Sequence, residues 1–192
     1  VVVRDGLDDK LKLAFSPTLS GGYGISLTLA DVTGDGIDDV IVAAPTGGSG
    51  GIIAYRIIDF SGVQPREIFS ELDNQGIGVK GQLLDNYQAE LFMGKNEQKV
   101  TLDLPGDKEL YNFLGVYGDT GKLVNNYYQP YGQDLSGMLA LDIDGDGIAE
   151  LVTTQRIVGI NNTDTLGYVR AVWRYNAISW QVDKYTFQTS YE

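Results

Sequence analysis

Asp31-Val32-Thr33-Gly34-Asp35-Gly36-Ile37-Asp38-Asp39 is an acidic, glycine-rich stretch whose pattern recurs later in the chain. The second copy is Asp142-Ile143-Asp144-Gly145-Asp146-Gly147-Ile148-Ala149-Glu150. In both copies, oxygen-bearing side chains stand at the first, third, fifth and ninth places, and glycine stands at the sixth. A hard cation such as calcium takes six to eight oxygen ligands at about 2.3–2.6 Å, which a short loop supplies only by curling around the ion. Glycine permits the curl because it reaches positive φ at little cost. The pattern predicts two cation-binding loops.

The residues around each loop predict strands rather than helices. A helix-flanked calcium loop requires a bidentate glutamate at its twelfth position, where this chain has Val42 and Thr153. The flanking segments are short, β-branched and apolar, which favours strands. They comprise residues 25–30 and 39–43 around the first loop and residues 138–141 and 150–154 around the second. Each loop is therefore expected to join two strands.

The order of a strand, the loop D-x-[DTN]-G-D-G-x-x-[DE] and a second strand resembles the FG-GAP or VCBS-type repeat, which is the calcium loop of integrin-α-like β-propellers. The resemblance implies that the first, third, fifth and ninth side chains and the seventh backbone carbonyl hold the ion. In the first loop these are Asp31, Thr33, Asp35, the Ile37 carbonyl and Asp39. In the second they are Asp142, Asp144, Asp146, the Ile148 carbonyl and Glu150. Thr33 departs from the family's usual aspartate or asparagine, so the first site is expected to bind calcium more weakly.

A metal-free alternative remains for these loops, because Asp-Gly-Asp-Gly is also a polar turn between strands. Two copies in the same strand–loop–strand setting favour the metal site. The order of segments is also similar to that of uncharacterised secreted proteins of Gram-positive bacteria, a likeness that names no activity.

Composition excludes several classes of function. The chain has 14 basic and 26 acidic residues, a net charge of −12, and nucleic-acid binding requires lysine and arginine to neutralise phosphates. Histidine and cysteine are both absent, which removes the Ser-His-Asp and Cys-His nucleophiles and the usual zinc ligands. No stretch reaches the roughly 18 consecutive apolar residues that a membrane-spanning helix needs. A metal site in this chain would have to use oxygen ligands.

The expected architecture is all-β, with four-stranded, β-propeller-like units. Residues 1–192 are expected to form a single domain, with a first repeat unit at 1–75, a second at 136–192, and a middle section at 76–135 that lacks the loop pattern. The two loops begin 111 residues apart, at positions 31 and 142, which is roughly two propeller repeats of about 40–50 residues. Whether the ring closes is left open, and the alternative is two half-blades packed as a sandwich around an inserted sheet.

Several shorter segments carry local predictions. Residues 81–93 and 100–104 read as two strands of a hairpin, and residues 108–113 as a short helix. The aromatic tract 127–131 either packs its tyrosine rings at a strand edge or forms a platform for a sugar or peptide. Trp173 and Trp180 are expected in the core.

These observations predict a calcium-binding, non-enzymatic domain, exported to the cell surface for adhesion or for recognition of a protein or glycan ligand. Sites with dissociation constants of about 0.1–1 mM would fill outside the cell. One alternative is a carbohydrate-active hydrolase, which needs two carboxylates about 5–9.5 Å apart; Glu71, Glu90 and Glu109 qualify by acidity alone. Another alternative is a purely structural module of a larger surface protein.

Overall fold

The computed structural model describes residues 2–4, 11–14, 22–104 and 108–190. Within these ranges the regular secondary structure is almost entirely β-strand, as the sequence predicts. The strands are β1 Val2–Arg4, β2 Leu11–Ala14, β3 Ser26–Ala30, β4 Asp39–Pro45, β5 Ile53–Asp59, β6 Arg66–Phe69, β7 Val79–Leu84, β8 Gln88–Met93, β9 Gln98–Asp103, β10 Tyr131–Leu141, β11 Glu150–Val158, β12 Thr165–Tyr175 and β13 Trp180–Thr189. A 3-10 turn spans Asp73–Gln75 and helix α1 spans Lys108–Phe113. No helix in the described residues has the length and apolar character needed to cross a membrane.

Two four-stranded antiparallel meanders carry the loops. Strands β3, β4, β5 and β6 form one sheet in sequence order, and β10 to β13 form the second in the same way. Each begins with two strands joined by a predicted loop, so the propeller-like units are confirmed. The middle strands β7, β8 and β9 extend the second sheet to seven strands through the pairing of Lys80 with Tyr131. The result is an incomplete, propeller-like all-β fold.

The main core lies between the two sheets. The first sheet contributes Ile41, Tyr55, Ile57 and Phe69, and the second contributes Leu135, Leu151, Ile157 and Trp173. Trp180 stands at the contact between them: its ring meets Phe69 edge-on at 5.8 Å, and its indole N–H donates to the Ile68 carbonyl at 2.7 Å. Burying large aromatic rings with a satisfied polar atom is favourable. The predicted core positions of Trp173 and Trp180 are confirmed.

Two buried amide side chains fix the 3-10 turn between the sheets. Asn74 accepts a hydrogen bond from the Tyr55 N–H and donates to the Ile53 carbonyl, so it bonds the first half of β5, which is not paired with β6. Gln155 of β11 donates to the carbonyls of Gln75 and Gln133. Buried backbone groups must find partners, and these two side chains supply them. The turn is thereby tied to both sheets.

The middle section differs from its prediction at one place. Residues 81–93 are not one strand, because the chain turns at 85–87 and pairs β7 with β8. Asn86 and Tyr87 hold φ of 63° and 56° there, a left-handed conformation that is uncommon without glycine. The short helix at 108–113 is confirmed. In the aromatic tract, Tyr128 packs against the core, whereas Tyr127 is 84% exposed.

Candidate metal centre

Both loops curl through glycines at two places. Gly34 and Gly36 hold φ of 78° and 81° in the first loop, and Gly145 and Gly147 hold 80° and 90° in the second. These are the fourth and sixth places of the motif, and both require the left-handed conformation that glycine adopts readily. Sequence reasoning singled out only the sixth. The two loops therefore share one backbone path.

The first aspartate of each loop lies at the centre of this curl. Asp31 accepts hydrogen bonds from the N–H groups of Gly34 at 2.6 Å and Gly36 at 2.8 Å, one on each carboxylate oxygen. Asp142 repeats the arrangement with Gly145 at 2.7 Å and Gly147 at 3.0 Å. Charge-assisted bonds of this kind are roughly twice as strong as neutral ones. Part of the negative charge is therefore balanced by backbone amides of the loop.

In both loops the aspartate at the fifth place accepts a hydrogen bond from the backbone N–H of the residue at the seventh place. Asp35 accepts from the Ile37 N–H at 2.9 Å, and Asp146 accepts from the Ile148 N–H at 2.8 Å. This contact sets the backbone around the seventh residue, whose carbonyl is the ligand that the family resemblance implies. The fifth side chain therefore positions the neighbouring predicted ligand in addition to offering its own oxygens.

The third place distinguishes the loops. In the second loop Asp142, Asp144 and Asp146 are exposed and present carboxylate oxygens within 4.8 Å of one another. In the described part of the chain, no other three acidic side chains meet in this way. The first loop has Thr33 at the third place, and its hydroxyl lies 3.4 Å from the Asp31 carboxylate. The richer oxygen cluster is therefore in the second loop.

The ninth residue closes each loop. Asp39 is 1% exposed and accepts from the Val32 N–H at 3.0 Å, and Glu150 is 2% exposed and accepts from the Ile143 N–H at 2.9 Å. Burial raises the pKa of Asp39 to about 6, the Val32 N–H opposes that rise, and the nearby carboxylate of Asp59 adds to it. One oxygen of the ninth-place carboxylate thus accepts a hydrogen bond from the second residue of the same loop, and its other oxygen can make a further contact.

The partner of the ninth residue is opposite in charge in the two loops. Leu151 of β11 pairs with Trp173 of β12, so the preceding residue Glu150 lies opposite Arg174, whose guanidinium is 2.7 Å from the Glu150 carboxylate. In the same way, Val40 of β4 pairs with Ile58 of β5, so Asp39 lies opposite Asp59.

Arg174 also reaches Asp144 at 2.9 Å, and this hydrogen bond lowers the pKa of Asp144. Sequence reasoning missed Arg174 and Asp59, although aligning the third strand of each unit against its loop would have placed them.

The loops touch each other. The Ala149 N–H donates to the Asp31 carbonyl at 2.8 Å, and the Ile148 side chain occupies the space that a Cβ atom on Gly34 would need. The two loops are therefore in direct contact where the two sheets meet.

The acidic candidates for hydrolase chemistry have separate neighbours. Glu90 pairs with Lys99 at 3.0 Å, Glu71 lies 3.7 Å from Arg56, and Glu109 is in α1. A cleft of about 500 Å³ opens between the β8–β9 turn and β13, over Trp173 and Trp180. Among the described residues lining it, Asp183 is the one carboxylate. The cleft therefore lacks the acid pair that glycoside hydrolysis needs.

Comparisons with known proteins cover nearly the whole chain. The family model described as the YybI C-terminal domain matches residues 77–188, and that of the FG-GAP repeat matches residues 23–55, which contain the first loop. The uncharacterised protein YybI of Bacillus subtilis (strain 168) is 34% identical over 193 residues, covering 97% of this chain and 70% of that protein. No solved structure matches the chain. The FG-GAP resemblance found in the sequence is confirmed for the segment that contains the first loop.

Proposed function

Because the chain belongs to the family of the YybI C-terminal domain and carries an FG-GAP repeat before that domain, we propose that it is a calcium-binding, non-enzymatic domain of an exported protein. Its role is adhesion or recognition of a protein or glycan. The observation that carries the proposal is the cluster of Asp142, Asp144 and Asp146, whose oxygens lie within 4.8 Å of one another.

The donor set suits calcium. Calcium takes oxygen ligands in flexible geometry and completes its shell with backbone carbonyls and water. Asp142, Asp144 and Asp146 offer three carboxylates on a loop whose amides hold them in place. Bound calcium would supply a positive charge among side chains that otherwise repel one another, at a cost of about 1–4 kcal/mol for each near pair at a surface. In the first loop Asp31, Thr33 and Asp35 would hold the ion with less charge.

The position of the loops explains what calcium would do for the fold. Both loops lie where the two sheets meet, and Ala149 of one is bonded to Asp31 of the other. An ion held in either loop would restrict the end of one sheet and, through this bond, the end of the other. In a chain without cysteine, such ions would take the structural part that disulfides play in many exported proteins.

The proposed calcium binding supports an exported location. Dissociation constants of about 10⁻⁴–10⁻³ M are typical of extracellular calcium modules. Ions at about 1 mM would stabilise such a domain by roughly 0.4–1.4 kcal/mol per site.

The exposed ring of Tyr127, packed edge-on against Tyr128 at 5.7 Å, offers an aromatic contact of the kind used for proteins and glycans.

Thermal unfolding with and without calcium tests the proposal. We expect the melting temperature of the wild-type protein to be about 2–10 °C higher in 1 mM calcium than in chelator. Asp146→Ala removes a predicted ligand and should lose much of this gain. Asp119→Ala, an exposed aspartate outside the loops, is the matched control and should keep it. Identical wild-type melts in calcium and chelator would contradict the proposal.

A further inference from the structure

A positively charged side chain from a neighbouring strand contacts the carboxylates of the second loop. Arg174 on β12 places Nη1 at 2.7 Å from Glu150 Oε1 and Nη2 at 2.9 Å from Asp144 Oδ2. A guanidinium binds carboxylates through a rigid fork of N–H donors, so one side chain can hold two acids at once. It therefore joins the third and ninth places of the loop, two of the four side chains that the family pattern assigns to the ion.

The first loop is built without this feature. Asp59 stands where the second unit has Arg174, and the guanidinium of Arg66 is bonded to Asp59 at 2.9 Å. Asp39 accepts its hydrogen bond from Val32 and lies near other carboxylates. The two loops share their backbone path and their first, fifth and ninth contacts. They differ in the residue at the third place and in the charge of the residue that faces the ninth.

Asp183 offers a second carboxylate that the Arg174 guanidinium can contact. Asp183 on β13 lies 3.7 Å from the Nε atom of Arg174, and both side chains are close to half exposed, at 48% and 42%. Arg174 can therefore turn toward Asp183 without entering the core and without losing all its ionic contacts.

We propose that Arg174 competes with calcium for the second loop. Its guanidinium holds Asp144 and Glu150 when no ion is bound, and it moves from Asp144 toward Asp183 when calcium enters. The second loop then keeps its order without calcium but binds the ion more weakly than its three aspartates alone would. This inference rests on the proposed calcium function, and it names the residue that sets the affinity of one of the two sites.

Calcium titration of matched arginine variants tests the proposal. Arg174→Gln removes the charge and keeps much of the length. Arg170→Gln on the same strand removes the same charge outside the loop. Both are made in an Asp35→Ala background, so that calorimetry with calcium alone reports on the second loop. We expect Arg174→Gln to bind about three- to tenfold more tightly than its parent, and Arg170→Gln to change the affinity less than about twofold.

A second measurement separates competition from simple charge removal. Without calcium, amide hydrogen exchange at Gly145 and Gly147 should accelerate in Arg174→Gln and remain unchanged in Arg170→Gln. Arg174→Lys keeps the charge but loses the planar fork, so its calcium affinity should fall between those of the parent and Arg174→Gln. Circular dichroism establishes that each variant is folded before it is titrated.

Three results would overturn the competition. They are weaker calcium binding by Arg174→Gln, a gain no larger than that of Arg170→Gln, and no binding to the second loop in any variant. The calcium function itself fails in a different way: neither loop of the wild-type protein binds millimolar calcium. If Arg174→Gln binds calcium where its parent does not, the competition stands in its strongest form.

Discussion

The amide of Ala149 donates a 2.8 Å hydrogen bond to the carbonyl of Asp31, so the eighth residue of the second loop is bonded to the first residue of the first loop. Asp31 is also the residue whose carboxylate organises its own loop through Gly34 and Gly36. We therefore expect that ordering or disordering one loop changes the backbone order of the other. This hydrogen bond joins two loops that lie in different parts of the sequence.

Calcium binding at the two loops should be cooperative for this reason. We expect Asp146→Ala, which disables the second loop, to weaken calcium binding at the first by about fivefold, the lower end of typical coupling between sites. Because coupling free energies are reciprocal, Asp35→Ala should weaken the second site by the same factor. Calorimetric titrations of both variants measure the two factors. Unequal factors, or none, would show that the shared hydrogen bond does not link the sites.

The contact between the loops can be tested at a pair of equivalent glycines. Gly34 and Gly145 occupy the fourth place, with φ of 78° and 80°. A Cβ atom on Gly34 would lie 2.6 Å from the Ile148 side chain, whereas one on Gly145 would meet nothing within 4 Å. Both alanine variants carry the left-handed penalty of about 1–2 kcal/mol. We expect Gly34→Ala to lose about 1 kcal/mol more than Gly145→Ala, because Ile148 must be displaced.

Urea denaturation of the two glycine variants in chelator gives this difference without a contribution from calcium. Equal losses would mean that Ile148 moves aside freely and that the loops touch only through the backbone.

Stability should also depend on pH through Asp134 of β10. Burial, followed by the charge of Glu71, raises the pKa of Asp134 above its ordinary value of 3.8. As pH rises, the unfolded chain loses this proton first, so the folded state loses stability until the pH passes the raised pKa.

Replacing the acid by an amide of the same size removes this loss. Asp134→Asn should therefore be more stable than wild type at pH 7, and the difference should shrink as pH falls toward 4. Paired denaturant titrations at several pH values measure it, with the exposed Asp119→Asn as control. A gain that persists unchanged at low pH would assign the effect to packing rather than to ionisation.

Features set by neighbouring residues could be predicted from sequence, and features set by distant pairings could not. The loops, their flanking strands and α1 follow from local chemistry. The turn at Asn86 and Tyr87 was missed because it uses positive φ without glycine. Arg174 was missed because it meets Glu150 only through the register of β11 with β12. The bond from Ala149 to Asp31 depends on how two sheets pack, which no local pattern states.

Gln155 provides the sharpest test of how the sheets are joined. It is 2% exposed, donates to the Gln75 and Gln133 carbonyls at 2.8 and 2.7 Å, and accepts from the Ile77 N–H at 3.3 Å. Gln155→Leu keeps the approximate size but leaves these three backbone groups without their partner. Because each buried unsatisfied group costs about 1–3 kcal/mol, we expect a loss of at least about 3 kcal/mol in the free energy of unfolding.

The matched control for Gln155→Leu is Gln82→Leu, which removes an exposed amide that donates to Glu90 at 2.8 Å. It should change the free energy of unfolding by no more than about 0.5 kcal/mol, as surface substitutions usually do. Chemical denaturation followed by tryptophan fluorescence suits both variants, because Trp180 lies where the sheets meet. A loss for Gln155→Leu as small as that of the control would mean that water replaces the amide. The 3-10 turn would then be held to the second sheet by packing alone.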